Sequence, residues 1–200
     1  MTDIVLATRN MGKVEEFRAI MADLPVRILS LADFPEMPET PETGTSFAEN
    51  AELKAKAAVR FTGKLSLADD SGLEVDALGG EPGVMSSRFG GPGASDRDKY
   101  MRILDLLEGV EDAKRTARFR AAIAISTLEG ETVVVEGSCE GRIAHSPSGE
   151  RGFGYDPVFY IPELKKTMAE LLPEEKNPIS HRGKAMKAAK QVLRKLIEDA

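Results

Sequence analysis

The sequence predicts an α/β protein with a mixed β-sheet. In the N-terminal half, short apolar runs alternate with segments of helical periodicity, a pattern that favours strands covered by helices. Later in the chain, two β-rich runs flank Glu129-Gly130, which indicates a hairpin and therefore antiparallel strands. A length of 200 residues suits one domain with room for two lobes.

The N-terminal segment predicts a strand, a tight turn, a helix and a long loop. Residues 4–7 are a short apolar run, and Asn10 can cap the helix after it. Helical spacing gives that helix one apolar face, made of Val14, Phe17, Met21 and Leu24. Residues 33–45 are rich in Pro, Glu and Thr, and they are predicted to be a loop because proline sustains neither regular ladder.

A second helix and a second strand follow this loop. Ser46 and Glu49 are spaced as a capping box for a helix over about residues 47–60. The inward positions of this helix are Phe47, Ala51, Ala55, Ala58 and Val59. The strand covers residues 65–69, and the sequence predicts that it breaks at the Ser71-Gly72 turn.

A long loop follows the second strand. Residues 79–93 are crowded with glycine and proline, and long loops of this kind usually carry function. Ser95 and Asp98 can then cap a helix, and residues 116–127 and 131–139 are the arms of the predicted hairpin.

The end of the chain is predicted to contain one last short strand and one long helix. The strand is centred on Phe159, and the helix starts at about Ser180. Its apolar face is Ala185, Met186, Ala189, Val192, Leu193 and Leu196, at helical spacing. Because the chain contains no repeat and no long linker, no second independent domain is expected.

Composition narrows the classes of function. The net charge of −6 argues against a general nucleic-acid or membrane-surface binder, although local lysines and arginines can still hold a small anion. The single cysteine, Cys139, is interpreted as a buried strand residue, and no Cys/His cluster has zinc spacing. The short apolar run after Asp3 does not resemble a signal peptide, and no run approaches the ~20 apolar residues of a membrane span. We therefore expect a cytoplasmic protein.

A first candidate site is the segment TRNMGK, between the first strand and the first helix. Free backbone N–H groups and the positive end of the helix dipole suit a phosphate there, and Lys13 adds a charge. The segment is not a P-loop, because Val14 stands where that motif has a magnesium-binding hydroxyl. Alone, the pattern is more typical of an ordinary capped turn than of a phosphate site.

A second candidate site is the pair of aspartates that ends the strand LSLADD. Buried carboxylates are costly unless cations meet them. In one interpretation Asp69 binds turn amides and Asp70 binds a lysine. In the other, Mg²⁺ binds Asp70 and a carboxylate of the Glu/Pro loop, since magnesium needs few protein ligands when substrate phosphates complete its shell.

A third candidate site joins two segments near the C-terminus. EKNPISHRGKA gathers four cationic or titratable side chains before or at a helix start, where the dipole disfavours them unless an anion is present: Lys176, His181, Arg182 and Lys184. GFGYDP places Phe153 and Tyr155 next to Asp156 on a glycine-rich turn, which suits either a stacking platform or a loop anchored in the core.

These segments together resemble the Ham1/inosine triphosphatase family, whose members are non-canonical purine nucleoside triphosphate pyrophosphatases. The matching motifs are, in order, TRNMGK, ETGTSFAENAELKAKAA, LADDSGLEVDALGGEPGVMSSRF, GFGYDPVF and EEKNPISHRGKA. The resemblance implies an elongated mixed β-sheet flanked by helices, with two lobes and the active-site cleft between them. It also implies Mg²⁺-dependent hydrolysis of ITP, dITP and XTP to the monophosphate and pyrophosphate, by a homodimer.

The resemblance also implies roles for individual residues. Glu42 and Asp70 match the metal ligands, with Asp69 as a further candidate, and Asp70 matches the proposed general base. Lys13 matches the catalytic lysine of the phosphate-binding turn. The residues that match substrate contacts are Thr8, Arg9, Asn10, Met11, Gly12, Lys13, Ser71, Phe153, Gly154, Tyr155, Asp156, Lys176, His181 and Arg182. Arg9 departs from the small residue of many members, and it can touch phosphate or point to solvent.

Two other classes of function remain to be weighed against the enzyme. A regulator that binds nucleotide without cleaving it does not need a base, so the presence of Glu42 and Asp70 argues against it. A structural or nucleic-acid-binding protein is disfavoured by the acidic charge balance and the absence of a basic stripe. We therefore expect a purine nucleoside triphosphate as the partner, with neither nucleic acid nor membrane.

Overall fold

A computed structural model describes residues 2–198 of the chain. Over these residues it contains seven strands and five α-helices, with short 3-10 turns between them. The strands are β1 Thr2–Leu6, β2 Val26–Ser30, β3 Ser66–Val75, β4 Thr116–Ser126, β5 Thr132–Ile143, β6 Phe159–Ile161 and β7 Lys166–Thr167. The helices are α1 Met11–Ile20, α2 Phe47–Thr62, α3 Asp96–Leu106, α4 Pro173–Ile179 and α5 His181–Glu198.

The strands form one mixed sheet in the order β2-β1-β3-β4-β5-β6-β7. β1 runs parallel to β2 and to β3, whereas β5–β6 and β6–β7 are antiparallel. β4 and β5 are neighbours joined by only a short turn, and a parallel pair would need a much longer crossover, so this connection is the predicted hairpin. The α/β class with a mixed sheet is confirmed.

The largest difference from the sequence-based expectation concerns β3. The predicted break at Ser71-Gly72 is wrong, because β3 continues through both residues to Val75. Successive side chains of an extended strand point to opposite faces, so Asp69 and Asp70 diverge. Three further elements, β2, β7 and α4, were not predicted from the sequence. These elements are short, and α4 contains Pro178, which argues against a helix when only the sequence is known.

Helix capping follows the predicted residues with one exception. Asn10 caps α1 by accepting a hydrogen bond from Lys13 N, and Ser95 with Asp98 forms a complete capping box on α3. At α2, Ser46 accepts from the Glu49 backbone as predicted, but the Glu49 carboxylate accepts from the backbone N–H of Thr45, at 2.6 Å. The backbone N–H of Ser46 contributes more weakly, so the strongest bond of the Glu49 carboxylate lies one residue earlier than the predicted capping box.

The chain divides into two compact units, and each has its own apolar core. The first unit contains the described residues up to Asp70, then Ala121–Gly137, and then the segment from Arg182. Its core packs the predicted apolar faces of α1 and α5 against β1, which confirms both faces. The second unit contains Ser71–Arg120 and Ser138–His181, with a core centred on side chains such as Leu73 and Phe159.

The helices of the described residues are too short or too polar to cross a membrane. None of the helices over residues 2–198 combines the length and the apolar character that crossing a bilayer requires. The cleft that the family resemblance implies stays a prediction.

Candidate functional site

The segment TRNMGK connects β1 to α1 in the first unit, as the sequence predicts. The Thr8 hydroxyl accepts a hydrogen bond from Asn10 N at 3.1 Å, and the Asn10 side chain accepts from Lys13 N at 3.3 Å. These two bonds fix the turn that leads into the helix. Lys13 lies in the first turn of α1, and Met11 at the start of the helix is exposed.

Arg9 is exposed, and it also makes a contact that the sequence did not predict. Its guanidinium donates a hydrogen bond to the backbone carbonyl of Met37 at 2.8 Å. Met37 is buried in the loop between β2 and α2. Arg9 therefore ties the TRNMGK turn to that loop, which also contains Glu42.

Lys13, Asp69 and Arg182 form an ion cluster in the first unit. Asp69 is almost fully buried and pairs with the Lys13 ammonium, while Arg182 Nε lies 3.7 Å from Asp69 Oδ2. Arg182 Nη1 also contacts Glu16 Oε2 at 3.4 Å. Burial acts to raise the pKa of Asp69, but the charges of Lys13 and Arg182 outweigh burial and hold that pKa well below its usual range. Asp69 thus stays ionised and keeps both cations beside α1.

Glu42, Lys54 and Asp70 form a second ion cluster in the same unit. Lys54 Nζ lies 2.7 Å from Asp70 Oδ1, 3.1 Å from Glu42 Oε1 and 3.2 Å from the carbonyl oxygen of Asp69. Burial raises the pKa of Asp70, and the negative charges of Glu42 and Asp69 add to this increase, although Lys54 opposes it. Asp70 is therefore a stronger base than an exposed aspartate.

Lys54 was missed by the sequence analysis, although a signal existed. It lies three residues after Ala51 and four before Ala58, so it shares the inward face predicted for α2. A lysine on a buried face needs anionic partners, and side-chain burial here leaves only 15% of Lys54 exposed. An inward lysine among alanines therefore indicated a nearby carboxylate pair.

The two carboxylates of this cluster are suited to a divalent cation. Glu42 and Asp70 approach one shared cationic position, now taken by the Lys54 ammonium. Within residues 2–198, no group of three or more His, Cys, Asp or Glu side chains could hold a metal ion by itself. Magnesium needs only one or two carboxylates when water and substrate oxygens fill the other positions, so Glu42 and Asp70 fit this ion. The Asp69 carboxylate pairs instead with Lys13 and Arg182.

The aromatic turn Gly152–Asp156 lies in the second unit and carries an exposed ring. Asp156 is buried, and its Oδ2 accepts from Phe153 N at 3.0 Å and from Lys176 Nζ at 2.5 Å. Lys176 Nζ also lies 5.5 Å from the centre of the Phe153 ring, within cation–π range. Gly152 has φ 78°, and a side chain there would collide with the Asp156 carboxylate. The turn therefore presents an aromatic face and a cation together.

Two predicted substrate contacts are packed inside the second unit. The Tyr155 ring is buried, its hydroxyl donates to the carbonyl of Ser86 at 2.7 Å, and burial raises its pKa above the usual range. The His181 ring is buried too and stacks on Phe119, with ring centres 4.7 Å apart. Tyr155 therefore anchors the aromatic turn and does not supply the exposed ring. Ser71, another predicted contact, is half-buried on β3.

Comparison with known proteins agrees with this arrangement of motifs. The model of the Ham1 family matches residues 4–192. A dITP/XTP pyrophosphatase of Geobacillus kaustophilus is 55% identical over 93% of the chain and 91% of the relative, and one of Desulforamulus reducens is 53% identical over 96% of both. The solved structure of a HAM1 protein from Coxiella burnetii superposes with a TM-score of 0.91 and is 42% identical, covering 98% of this chain and 100% of that one. The chain belongs to the Ham1 family.

Proposed function

We propose that this protein hydrolyses non-canonical purine nucleoside triphosphates, namely ITP, dITP and XTP, to the monophosphate and pyrophosphate. The single observation that carries the proposal is the approach of Glu42 and Asp70 to one cationic position in the unit that also holds Lys13. Relatives named dITP/XTP pyrophosphatase, at 53–55% identity over most of the chain, support the choice of substrate. Removal of such nucleotides would clear deaminated purines from the nucleotide pools.

In this proposal the first unit binds the phosphates. The N-terminus of α1 offers backbone N–H groups, and Lys13 adds a positive charge in its first turn. Arg182 is held beside Lys13 by Asp69, so it supplies a second cation at the same place. Electrostatic stabilisation by such groups is the main requirement of phosphoryl transfer.

Glu42 and Asp70 are the residues that would hold Mg²⁺. When bound, Mg²⁺ supplies positive charge that neutralises phosphate oxygens and the pyrophosphate leaving group. The raised pKa of Asp70 supports its assignment as the general base. Asp70 would accept a proton as water attacks the α-phosphorus, and the bond from that phosphorus to the bridging oxygen breaks as pyrophosphate leaves.

The second unit would bind the purine base. Phe153 is 45% exposed and carries Lys176 beside its ring, so the ring can stack on a base while the lysine donates to a 6-oxo group. Adenine has an amino donor at that position, so a lysine would meet it donor to donor. The His181 backbone is a further donor of this unit, whereas Arg182 is engaged with Asp69 and Glu16 in the first unit and is assigned to the phosphates.

The proposal includes a cytoplasmic homodimer. Nucleoside triphosphates are made and used in the cytoplasm, so an enzyme that clears them is expected there. Sedimentation equilibrium of the purified chain tests the dimer, because a monomeric mass at micromolar concentration contradicts it.

Product analysis with a panel of nucleoside triphosphates and Mg²⁺ tests the proposed function. The expected products of ITP are IMP and pyrophosphate, with much weaker turnover of ATP. Asp70→Asn should reduce turnover by at least ~10²-fold, the scale of general-base removal, whereas Asp105→Asn on the exposed side of α3 should not change it. Release of orthophosphate instead of pyrophosphate contradicts attack at the α-phosphorus, and tight nucleotide binding without any cleavage favours the regulator.

A further inference from the structure

Asp96 contacts the aromatic turn from a distant part of the sequence. It is the first residue of α3, and its Oδ2 accepts a hydrogen bond from the backbone N–H of Gly154 at 2.7 Å. Its other carboxylate oxygen, Oδ1, accepts from Lys99 Nζ at 3.2 Å. The two oxygens thus have separate partners, and one of them lies in the turn that carries Phe153. All of these residues belong to the second unit.

The bond from Asp96 adds to the anchors of the aromatic turn at the residue that the other side-chain bonds leave out. Asp156 holds Phe153 N, and the buried Tyr155 hydroxyl holds the turn to the Ser86 carbonyl. Gly154 has φ 63°, a conformation that glycine adopts without steric cost but also leaves easily. Asp96 holds the amide of this flexible residue, immediately after the exposed Phe153 ring.

We propose that Asp96 is a positioning residue that holds the Phe153 turn in the conformation that receives the purine base. The inference rests on the proposed function, because it assumes that Phe153 stacks on the base. Asp96 would act through the backbone of Gly154 and would not itself touch the nucleotide.

Maintenance of α3 does not require the Asp96 carboxylate. Ser95 and Asp98 already form the capping box of this helix, so its N-terminus keeps its cap when Asp96 is changed. The Asp96 side chain is 49% exposed, so its removal leaves no cavity in the core. Its removal loses the hydrogen bond to Gly154 and the contact with Lys99 on the same helix, and only the first of these reaches the aromatic turn.

The test compares Asp96→Ala, Asp96→Asn and the matched control Asp105→Ala. Asparagine keeps a carbonyl oxygen that accepts from Gly154 N, whereas alanine removes it; Asp105 is exposed on the same helix. The inhibition constants of IMP and of pyrophosphate are measured for each variant, together with kcat and KM for ITP. IMP carries the base and pyrophosphate does not, so the two products report separately on the turn and on the phosphate site.

We expect Asp96→Ala to weaken IMP binding and raise KM about tenfold, the low end for a hydrogen bond to a charged group, because this bond is exposed. Pyrophosphate inhibition should not change, Asp96→Asn should restore most of the IMP affinity, and Asp105→Ala should match the unmodified protein. Equal losses for IMP and pyrophosphate, no loss for either, or no rescue by asparagine would each overturn the proposal.

Hydrogen exchange provides a second measurement that needs no variant and no activity. The Gly154 amide of the unmodified chain should exchange more slowly than an unprotected amide, although the turn lies at the surface, because Asp96 accepts its hydrogen bond. Exchange at the unprotected rate overturns the inference. If ITP yields no pyrophosphate while Gly154 is protected, the proposed function fails and the Asp96 bond stands, so the two failures are distinguishable.

Discussion

The ion pairs of Asp69 make a contribution to stability that one isosteric substitution can isolate. Asp69→Asn keeps the shape of the side chain and removes its charge, leaving Lys13 and Arg182 without their common anion. The exposed fraction of the side chain is only 4% for Asp69, 18% for Lys13 and 7% for Arg182. Breaking a buried pair from one side costs about 3–5 kcal/mol because the remaining charge is poorly solvated.

We expect the low end of this range, about 3 kcal/mol, because Lys13 retains some contact with water and Arg182 keeps Glu16. At ~2–4 °C per kcal/mol for a protein of this size, the melting temperature at neutral pH should fall by about 6–12 °C. Urea unfolding measures the free energy directly. In a double-mutant cycle, Asp69→Asn should cost less in a Lys13→Met background than in the unmodified chain.

Asp70→Asn is the matched control on the neighbouring residue of the same strand. Burial raises the pKa of Asp70, so its charged form is disfavoured in the folded protein, and Lys54 keeps Glu42 as a partner when the Asp70 charge is removed. Asp70→Asn should therefore destabilise the protein less than Asp69→Asn at neutral pH. The assignment of Asp69 and Asp70 to opposite faces of β3 is refuted if Asp69→Asn is as stable as the unmodified protein. It is also refuted if Asp70→Asn is destabilised by the same amount as Asp69→Asn.

Three further predictions follow from other residues. Burial raises the pKa of Tyr155, so above about pH 10 the unfolded chain loses the Tyr155 proton while the folded protein keeps it. The free energy of unfolding should therefore fall as the pH rises above about 10. Tyr155→Phe should reduce this fall, as measured by urea unfolding. Lys54→Met should strengthen Mg²⁺ binding about tenfold in calorimetry by removing the cation between two carboxylates; unchanged affinity places the metal elsewhere. Gly154→Ala should cost about 1–2 kcal/mol of stability through backbone strain. Gly152→Ala should cost more, because its Cβ also meets the Asp156 carboxylate. Equal melting temperatures of the two variants contradict this order.

The sequence by itself determined the features that depend on neighbouring residues. The caps by Asn10 and Ser95, the apolar faces of α1 and α5, and the hairpin after β4 all depend on periodicity or spacing over a few residues. Local signals of this kind act within one turn of helix or one hairpin, so the primary structure contains them completely. The five motifs, in order, also identified the family.

Only the tertiary structure decided which charged groups meet. Lys13 and Asp69 are 56 residues apart in the sequence, and Arg182 and Glu16 are 166 apart. No local pattern specifies such pairs, because they depend on how the sheet brings strand ends and helix starts together. The continuation of β3 through Gly72 likewise depends on pairing with its neighbours in the sheet, which overrides the local preference for a turn. Asp69 and Asp70 therefore serve different cations, because an extended backbone sends adjacent side chains to opposite faces.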